Sequence, residues 1–278
     1  MMTRLRYKRL DRAAFLALAM ACLLVLSALP AFAEEKGAWS DIRAALFEDR
    51  DIADGAGIIR LDAPKRAEDA AVVPIKVSAD IPQTDERYIK AIHLIIDENP
   101  APIAGVFHLT PGSGVASIAT RVRVNEYTNV RAIAEMNDGA LFMATRFVKA
   151  SGGCSAPALK DHEVAMTRLG KMKLKPITPF TPGEPNQVQL MISHPNYSGL
   201  QMDQVSRNWV PPHFVESIDV AYGGQTIMTV EGDISLSENP TVRFSFVPEA
   251  EGELSIKAVD TEGGIFEMTK PLGPSPGA

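Results

Sequence analysis

Apolar and polar residues alternate along most of the chain, which is the pattern of half-buried β-strands. Ahead of this pattern, apolar residues at helical spacing predict a short N-terminal helix over Trp39–Phe47. In the first half the alternation predicts six strands, within Val73–Val77, Ile92–Ile96, Phe107–Leu109, Ile118–Val124, Val130–Met136 and Leu141–Phe147. Asn137-Asp138-Gly139 separates the last two runs and is typical of a hairpin turn.

The second half repeats this kind of pattern. Its predicted strands lie within Val188–Ile192, Ile218–Tyr222, Thr226–Val230, Val242–Phe246, Leu254–Ala258 and Phe266–Met268. The proline-rich stretch before them predicts an extended linker. Short alternating strands with frequent turns are typical of sandwiches, so the sequence predicts an all-β protein with two immunoglobulin-like β-sandwich domains in tandem.

The first 33 residues have the features of a secretory signal peptide. Five basic residues and one acidic residue are followed by an apolar run from Ala13 to Pro30, and Ala31-Phe32-Ala33 is a small-x-small cleavage motif. An uncleaved membrane anchor is the alternative, because the apolar run is close to the lower length limit for a spanning helix. The position of the cleavage motif favours cleavage and export to the periplasm, leaving no membrane segment.

These features predict the organisation of the chain. The segments are a signal peptide over 1–33, a first sandwich over 36–150, an arm and linker over 151–186, a second sandwich over 187–272, and a disordered tail over 273–278.

Net charge disfavours two classes of partner. The whole chain has a formal net charge of −6. The signal peptide carries +4, so the rest of the chain carries −10. A protein this acidic is not expected to bind nucleic acid or anionic membrane surfaces.

One cysteine remains once the signal peptide, which contains Cys22, is removed. This residue, Cys154, lies in the stretch Ser151-Gly152-Gly153-Cys154-Ser155-Ala156-Pro157. Two preceding glycines and a following Ser-Ala-Pro predict a mobile, exposed backbone. An unpaired cysteine in an exported protein suggests a reactive thiol or a covalent link to another molecule. The alternative is an incidental exposed cysteine.

Other candidate sites are weaker. A copper site formed by Cys154 with His162 and Glu163 does not match a known ligand spacing, so linker polarity is the favoured interpretation of the last two. His194 is interpreted as the end of a strand. The sequence contains no phosphate-binding loop, serine nucleophile elbow, zinc helix or Rossmann glycine pattern. It therefore predicts neither an enzyme nor a bound cofactor or metal.

The motifs resemble those of a known pair of proteins. Gly152-Gly153-Cys154 after an immunoglobulin-like domain resembles SoxY, the sulfur-carrier subunit of bacterial sulfur oxidation. The second half resembles its partner SoxZ, in Ile192-Ser193-His194-Pro195, in the stretch to Pro211-Pro212, in 218–224 and in 244–248. This order is similar to that of the fused SoxYZ-like carriers that accompany quinoprotein (PQQ-dependent) dehydrogenases.

The resemblance implies a periplasmic carrier, not an enzyme, that holds a sulfur-containing intermediate covalently on Cys154 and presents it to partner enzymes. Gly152 and Gly153 would give the arm its flexibility. The partners implied are periplasmic redox enzymes, of the c-type cytochrome or quinoprotein dehydrogenase systems. The alternative is a non-covalent accessory or docking module for a periplasmic quinoprotein dehydrogenase.

The chain departs from the SoxY pattern in one respect. In SoxY the motif ends the polypeptide with two further glycines, whereas here Ser155-Ala156-Pro157 and the whole second half follow. The arm is therefore tethered at both ends, and the expected reach of the thiol is shorter.

Overall fold

A computed structural model describes residues 37–157, 162–204 and 206–274. The predicted signal peptide and the last four residues of the predicted tail lie outside this description. Within these ranges, no helix combines the length and apolarity needed to cross a bilayer.

The described chain consists mainly of strands, and its all-β class is confirmed. The two α-helices are α1 (Ala38–Phe47), as the sequence predicted, and α2 (His162–Met166). The first half contributes β1 (Ile52–Asp54), β2 (Ile59–Asp62), β3 (Val73–Ala79), β4 (Ile89–Ile96), β5 (Ile103–Leu109), β6 (Ser117–Val122), β7 (Thr128–Met136) and β8 (Leu141–Val148). The second half contributes β9 (Met172–Pro176), β10 (Asn186–Ile192), β11 (Val215–Tyr222), β12 (Gln225–Gly232), β13 (Thr241–Phe246), β14 (Gly252–Asp260) and β15 (Ile265–Leu272).

Strands form where the alternation predicts them because one face of each is buried. In β3, Val73, Ile75 and Val77 are buried while Pro74 and Lys76 face outward. Burying apolar area on one face contributes about 25 cal/mol per Å² and fixes which residues point inward.

Two sheets form the fold, and each extends through both halves. One has nine strands in the order β1-β8-β7-β4-β5-β12-β11-β14-β15, and the other has six in the order β2-β3-β6-β13-β10-β9. Each half is thus a two-layer sandwich, as predicted. The sequence did not predict that the two sandwiches are joined edge to edge.

The junction between the halves, here called the seam, has two strand pairs. In the larger sheet β5 pairs antiparallel with β12 from Leu109↔Met228 to Gly105↔Gly232. In the smaller sheet β6 meets β13 at Ala119↔Arg243. Pairing across the seam covers four sheet edges, two from each half, and merges the two interiors into one apolar core.

Part of the predicted linker belongs to the second sandwich. Residues 172–176 form β9, an edge strand that pairs antiparallel with β10, and Leu174 is buried in the core. The helix α2 precedes it, where an extended segment was expected.

Candidate functional site

Cys154 is buried at the seam. Its exposed fraction is 0%, so the prediction of an exposed thiol is wrong. The two glycines predicted to make the segment flexible instead let its backbone pack against the first half, and a loop of the second half covers it. A prediction from local composition missed these contacts because both involve residues distant in sequence.

The backbone before Cys154 is held by the chain that follows β6. The N–H of Gly152 donates to the carbonyl of Asn125 at 2.8 Å, and the N–H of Gly153 donates to the carbonyl of Val124 at 3.0 Å. Gly152 has a φ of +76°, a conformation that favours glycine. At Gly153 a Cβ atom would lie 2.0 Å from the carbonyl oxygen of Ala70, so only glycine fits this packing.

The segment is covered by the chain between β10 and β11, here called the covering loop (residues 193–204 and 206–214). Ser198 Oγ donates to the carbonyl of Cys154 at 2.5 Å, and Gln201 Nε2 donates to the carbonyl of Ala156 at 2.8 Å. Gln201 Oε1 also accepts from the N–H of Ser198 at 3.2 Å, which links the two donors. Cys154 is therefore enclosed by both halves: the first half holds the backbone of its segment, and the covering loop of the second half lies over it. This enclosure is here called the seat of Cys154.

A buried arginine lies close enough to Cys154 for its charge to act on the thiol. Arg123 is 2% exposed, and its Nη1 donates to the carbonyls of Ile234, at 3.1 Å, and Leu236. Its Nε has no hydrogen-bond partner among the described residues. No described carboxylate forms an ion pair with it, and the carboxylate whose charge acts on it is that of Glu238, in the second half. The alternation over Ile118–Val124 predicts that Arg123 faces outward, and its burial shows that this prediction is wrong.

Burial and the charge of Arg123 shift the pKa of the Cys154 thiol in opposite directions. Burial raises the pKa of Cys154 to about 11, and the nearby positive charge of Arg123 lowers it only in part. Since the thiolate is the nucleophilic form, the enclosed thiol is unreactive near neutral pH.

A second buried polar cluster fastens both ends of the covering loop. His194 Nε2 and His213 Nε2 lie 3.3 Å and 2.8 Å from the same oxygen, Asp260 Oδ2. Asp260 Oδ1 accepts the N–H groups of Glu262 and Gly264 at 3.0 Å and 2.7 Å. Burial would raise the pKa of Asp260, but the hydrogen bonds, chiefly from His213, keep it below its usual value. The cluster therefore joins the start and the end of the covering loop to the end of β14.

This cluster has the residue types of a metal site, with its ligand atoms within 4.8 Å of one another. The hydrogen bonding favours another interpretation. His194 Nδ1 accepts the N–H of Asn196 at 3.0 Å, so the proton of the neutral ring is on Nε2, the atom that would have to bind the metal. Burial and the neighbouring His213 lower the pKa of His194 to about 4, which keeps the ring neutral near pH 7. The arrangement is that of a structural hydrogen-bond network. The side chains of His162 and Glu163, weighed as copper ligands with Cys154, lie outside the description.

Comparison with protein families identifies both halves. Residues 43–154 match the family "Sulfur oxidation protein SoxY", and residues 176–271 match "Sulphur oxidation protein SoxZ". The two matches together span about three quarters of the chain. The chain is a fused SoxYZ-like protein. Its SoxY-like part ends at Cys154, and the SoxZ-like part provides the covering loop.

Parts of the chain are similar to solved structures. The sulfur carrier protein SoxY from Chlorobium limicola f thiosulfatophilum is 27% identical, with 40% of this chain and 90% of that chain covered and a TM-score of 0.34. A superoxide reductase (neelaredoxin) from Ignicoccus hospitalis is 20% identical over 33% of this chain and 79% of that chain, with a TM-score of 0.30. A search of curated protein sequences found no match.

Proposed function

We propose that this protein is a periplasmic sulfur carrier that holds a sulfur intermediate covalently on Cys154 and presents it to partner redox enzymes. The SoxY and SoxZ families support a carrier role in sulfur oxidation. The observation that carries the assignment to Cys154 is the placement of this cysteine at the end of the SoxY-like part, in a seat built by both halves. Export by the predicted signal peptide belongs to the same proposal.

Loading with thiosulfate illustrates the chemistry. Cys154 and the outer sulfur of thiosulfate join through a new S–S bond, the thiol proton goes to solvent, and two electrons go to an oxidising partner such as a c-type cytochrome. The product is a cysteine S-thiosulfonate with one negative charge on its terminal sulfonate. A persulfide is the other adduct considered.

The thiol must leave its seat, or lose its cover, before it reacts. The side-chain bonds that close the seat are those of Ser198 and Gln201, each with a net contribution of about 1 kcal/mol. A free-energy difference of this size between the closed and open forms lets the site open transiently while keeping the thiol enclosed for most of the time. An exposed thiol in an exported protein is open to oxidation, so enclosure protects the carrier between transfers.

The test is the intact mass of the full-length exported protein after incubation with thiosulfate and an oxidising cytochrome partner. The wild type is expected to gain the mass of the thiosulfonate adduct, and a reductant is expected to remove it. Cys154→Ala is the matched control and should gain nothing. Equal mass gain by wild type and Cys154→Ala would contradict the proposal.

The burial of Cys154 favours one second candidate, a non-covalent accessory module that docks on a periplasmic quinoprotein dehydrogenase. In that case the thiol is only a small core residue. Cys154→Ser separates the two functions, because it abolishes a covalent carrier and spares a docking module. The readout is the rate at which the partner system turns over when supplied with each variant.

A further inference from the structure

Arg123 has an unusual environment for a buried cation. Its guanidinium is enclosed, two backbone carbonyls accept from Nη1, and Nε is left without a described partner. Buried charges in proteins are normally paired, because removing a charge from water without compensation is costly. A bound anion would give Nε a partner and compensate this charge further than Glu238 does.

The backbone places Arg123 next to the seat of Cys154. The N–H of Gly153 donates to the carbonyl of Val124, the residue after Arg123. The N–H of Arg123 donates to the carbonyl of Ser235 at 2.8 Å, and Asn99 Nδ2 donates to the Arg123 carbonyl at 2.8 Å. Burial lowers the pKa of Arg123. Negative charge on Cys154 opposes this effect most strongly, and the charge of Glu238 opposes it less.

We propose that Arg123 is the anion-binding residue of the Cys154 site, and that it makes the site selective for anionic over neutral sulfur species. This inference rests on the proposed function and narrows its substrate class. Guanidinium groups bind oxyanions with directed N–H donors, and the free Nε of Arg123 is such a donor. A sulfonate terminus on Cys154 would supply an acceptor for Nε and a negative charge beside the guanidinium. Arg123 would then hold the loaded arm in its seat.

Two alkylating reagents of similar size test this selectivity. Iodoacetate is an anion and iodoacetamide is neutral, and both form the same C–S bond as the Cys154 thiolate displaces iodide. Each needs the same opening of the covering loop, so the ratio of their rate constants cancels the opening equilibrium and reports the charge beside the thiol. The urea-unfolded protein provides the ratio for the same cysteine without a folded site.

We expect the native ratio of iodoacetate to iodoacetamide rates to exceed the unfolded ratio by about fivefold at low ionic strength, and to fall with salt. Arg123→Gln should bring the ratio to the unfolded value, and Arg123→Lys should restore most of it. Arg121→Gln is the matched control, since it removes a charge two residues earlier in β6, and it should leave the ratio close to that of wild type.

A native wild-type ratio equal to the unfolded ratio would overturn the proposal, as would an Arg123→Gln ratio equal to that of wild type. If Arg123→Gln does not fold, Arg123→Lys and the salt dependence of wild type decide the question. The result is separable from the carrier function. A carrier that gains cargo without anion selectivity contradicts only this inference, whereas anion selectivity without cargo contradicts only the proposed function.

Discussion

Gly153 is the residue on which the enclosure of Cys154 depends. The hypothetical Cβ at this position meets two backbone carbonyl oxygens, Ala70 at 2.0 Å and Val124 at 2.7 Å. Backbone atoms cannot rotate away as a flexible side chain can, so any side chain here must displace the segment. The requirement for glycine arises from close approach of the backbone, and mobility is not needed to explain it.

We therefore predict that Gly153→Ala unseats Cys154 and speeds its alkylation by iodoacetamide at pH 8. The expected increase is at least about tenfold, because the clash exceeds the net worth of the hydrogen bonds that close the seat. Gly37→Ala is the control, since Gly37, like Gly153, has no positive φ but has open space around its Cβ position. An alkylation rate equal to that of wild type would show that the segment is mobile without the substitution.

Among the elements, the covering loop is the one whose stability decides access to the thiol. The loop contains no regular strand, and polar contacts hold its ends. His194 at its start and His213 near its end share Asp260, while Asn196 Oδ1 accepts the N–H of Val215 and its Nδ2 donates to the carbonyl of Leu236. Such buried networks are strong when fully satisfied and costly when one member changes its charge.

Protonation of His194 should weaken this network in acid. In the unfolded chain a histidine binds a proton below about pH 6.5, whereas in the fold the pKa of His194 is about 4. The unfolded state therefore binds more protons between these values, so the stability from neutral His194 is present above pH 6.5 and is lost as the pH falls towards 4. The groups that face this ring are His213 and Asp260, and Glu262 lies beyond His213.

The expected contribution of His194 to the loss in the free energy of unfolding between pH 7 and pH 4 is about 3 kcal/mol, measured by urea denaturation of wild type and His194→Gln. His194→Gln should be less stable at pH 7 and should lose less as the pH falls, because it has no proton to take up. Because the pKa of Asp260 lies below its usual value, the stability that its carboxylate contributes is lost below pH 4, outside this range. Parallel pH profiles for wild type and His194→Gln would contradict the prediction.

At the scale of the whole molecule, the sequence predicted strands better than their assembly. Period-two runs such as Val73–Val77 identify a buried face directly, and β3 and β13 form where the alternation places them. The alternation of apolar and polar residues does not indicate which strand pairs with which across the seam. Pairing of β5 with β12 depends on two edges separated by about 120 residues, which local pattern does not reveal.

The candidate site was also predictable only in part, where the sequence carries a local signal. Cys154 and its glycines could be marked from the sequence, because an unpaired cysteine and a Gly-Gly pair are local signals. Arg123 gave no such signal, since an arginine at an alternating position looks like a solvent-facing residue. It is buried only because the second half supplies the carbonyls of Ile234 and Leu236. Residues that become functional through long-range packing are those that pattern analysis misses.

The seam predicts how the protein unfolds. Phe107 is buried in β5 opposite Val230 of β12, and both belong to the single apolar core. Phe107→Ala should cost about 3–5 kcal/mol. Because the two halves share both sheets, this loss should lower the protection of the slowest-exchanging amides in β10 and β13 as much as in β4 and β7. Hydrogen exchange followed by mass spectrometry measures each strand separately.

Leu254→Ala provides the reciprocal test, because Leu254 is buried in β14, in the second half and two strands beyond β12. If the halves form one cooperative unit, this substitution should lower protection in β4 and β7 of the first half as well. Loss of protection confined to the substituted half in both variants would mean that each half unfolds by itself. The strand pairs of the seam would then separate without unfolding of both halves. The seat of Cys154 would open at the same time, because it needs groups from both halves.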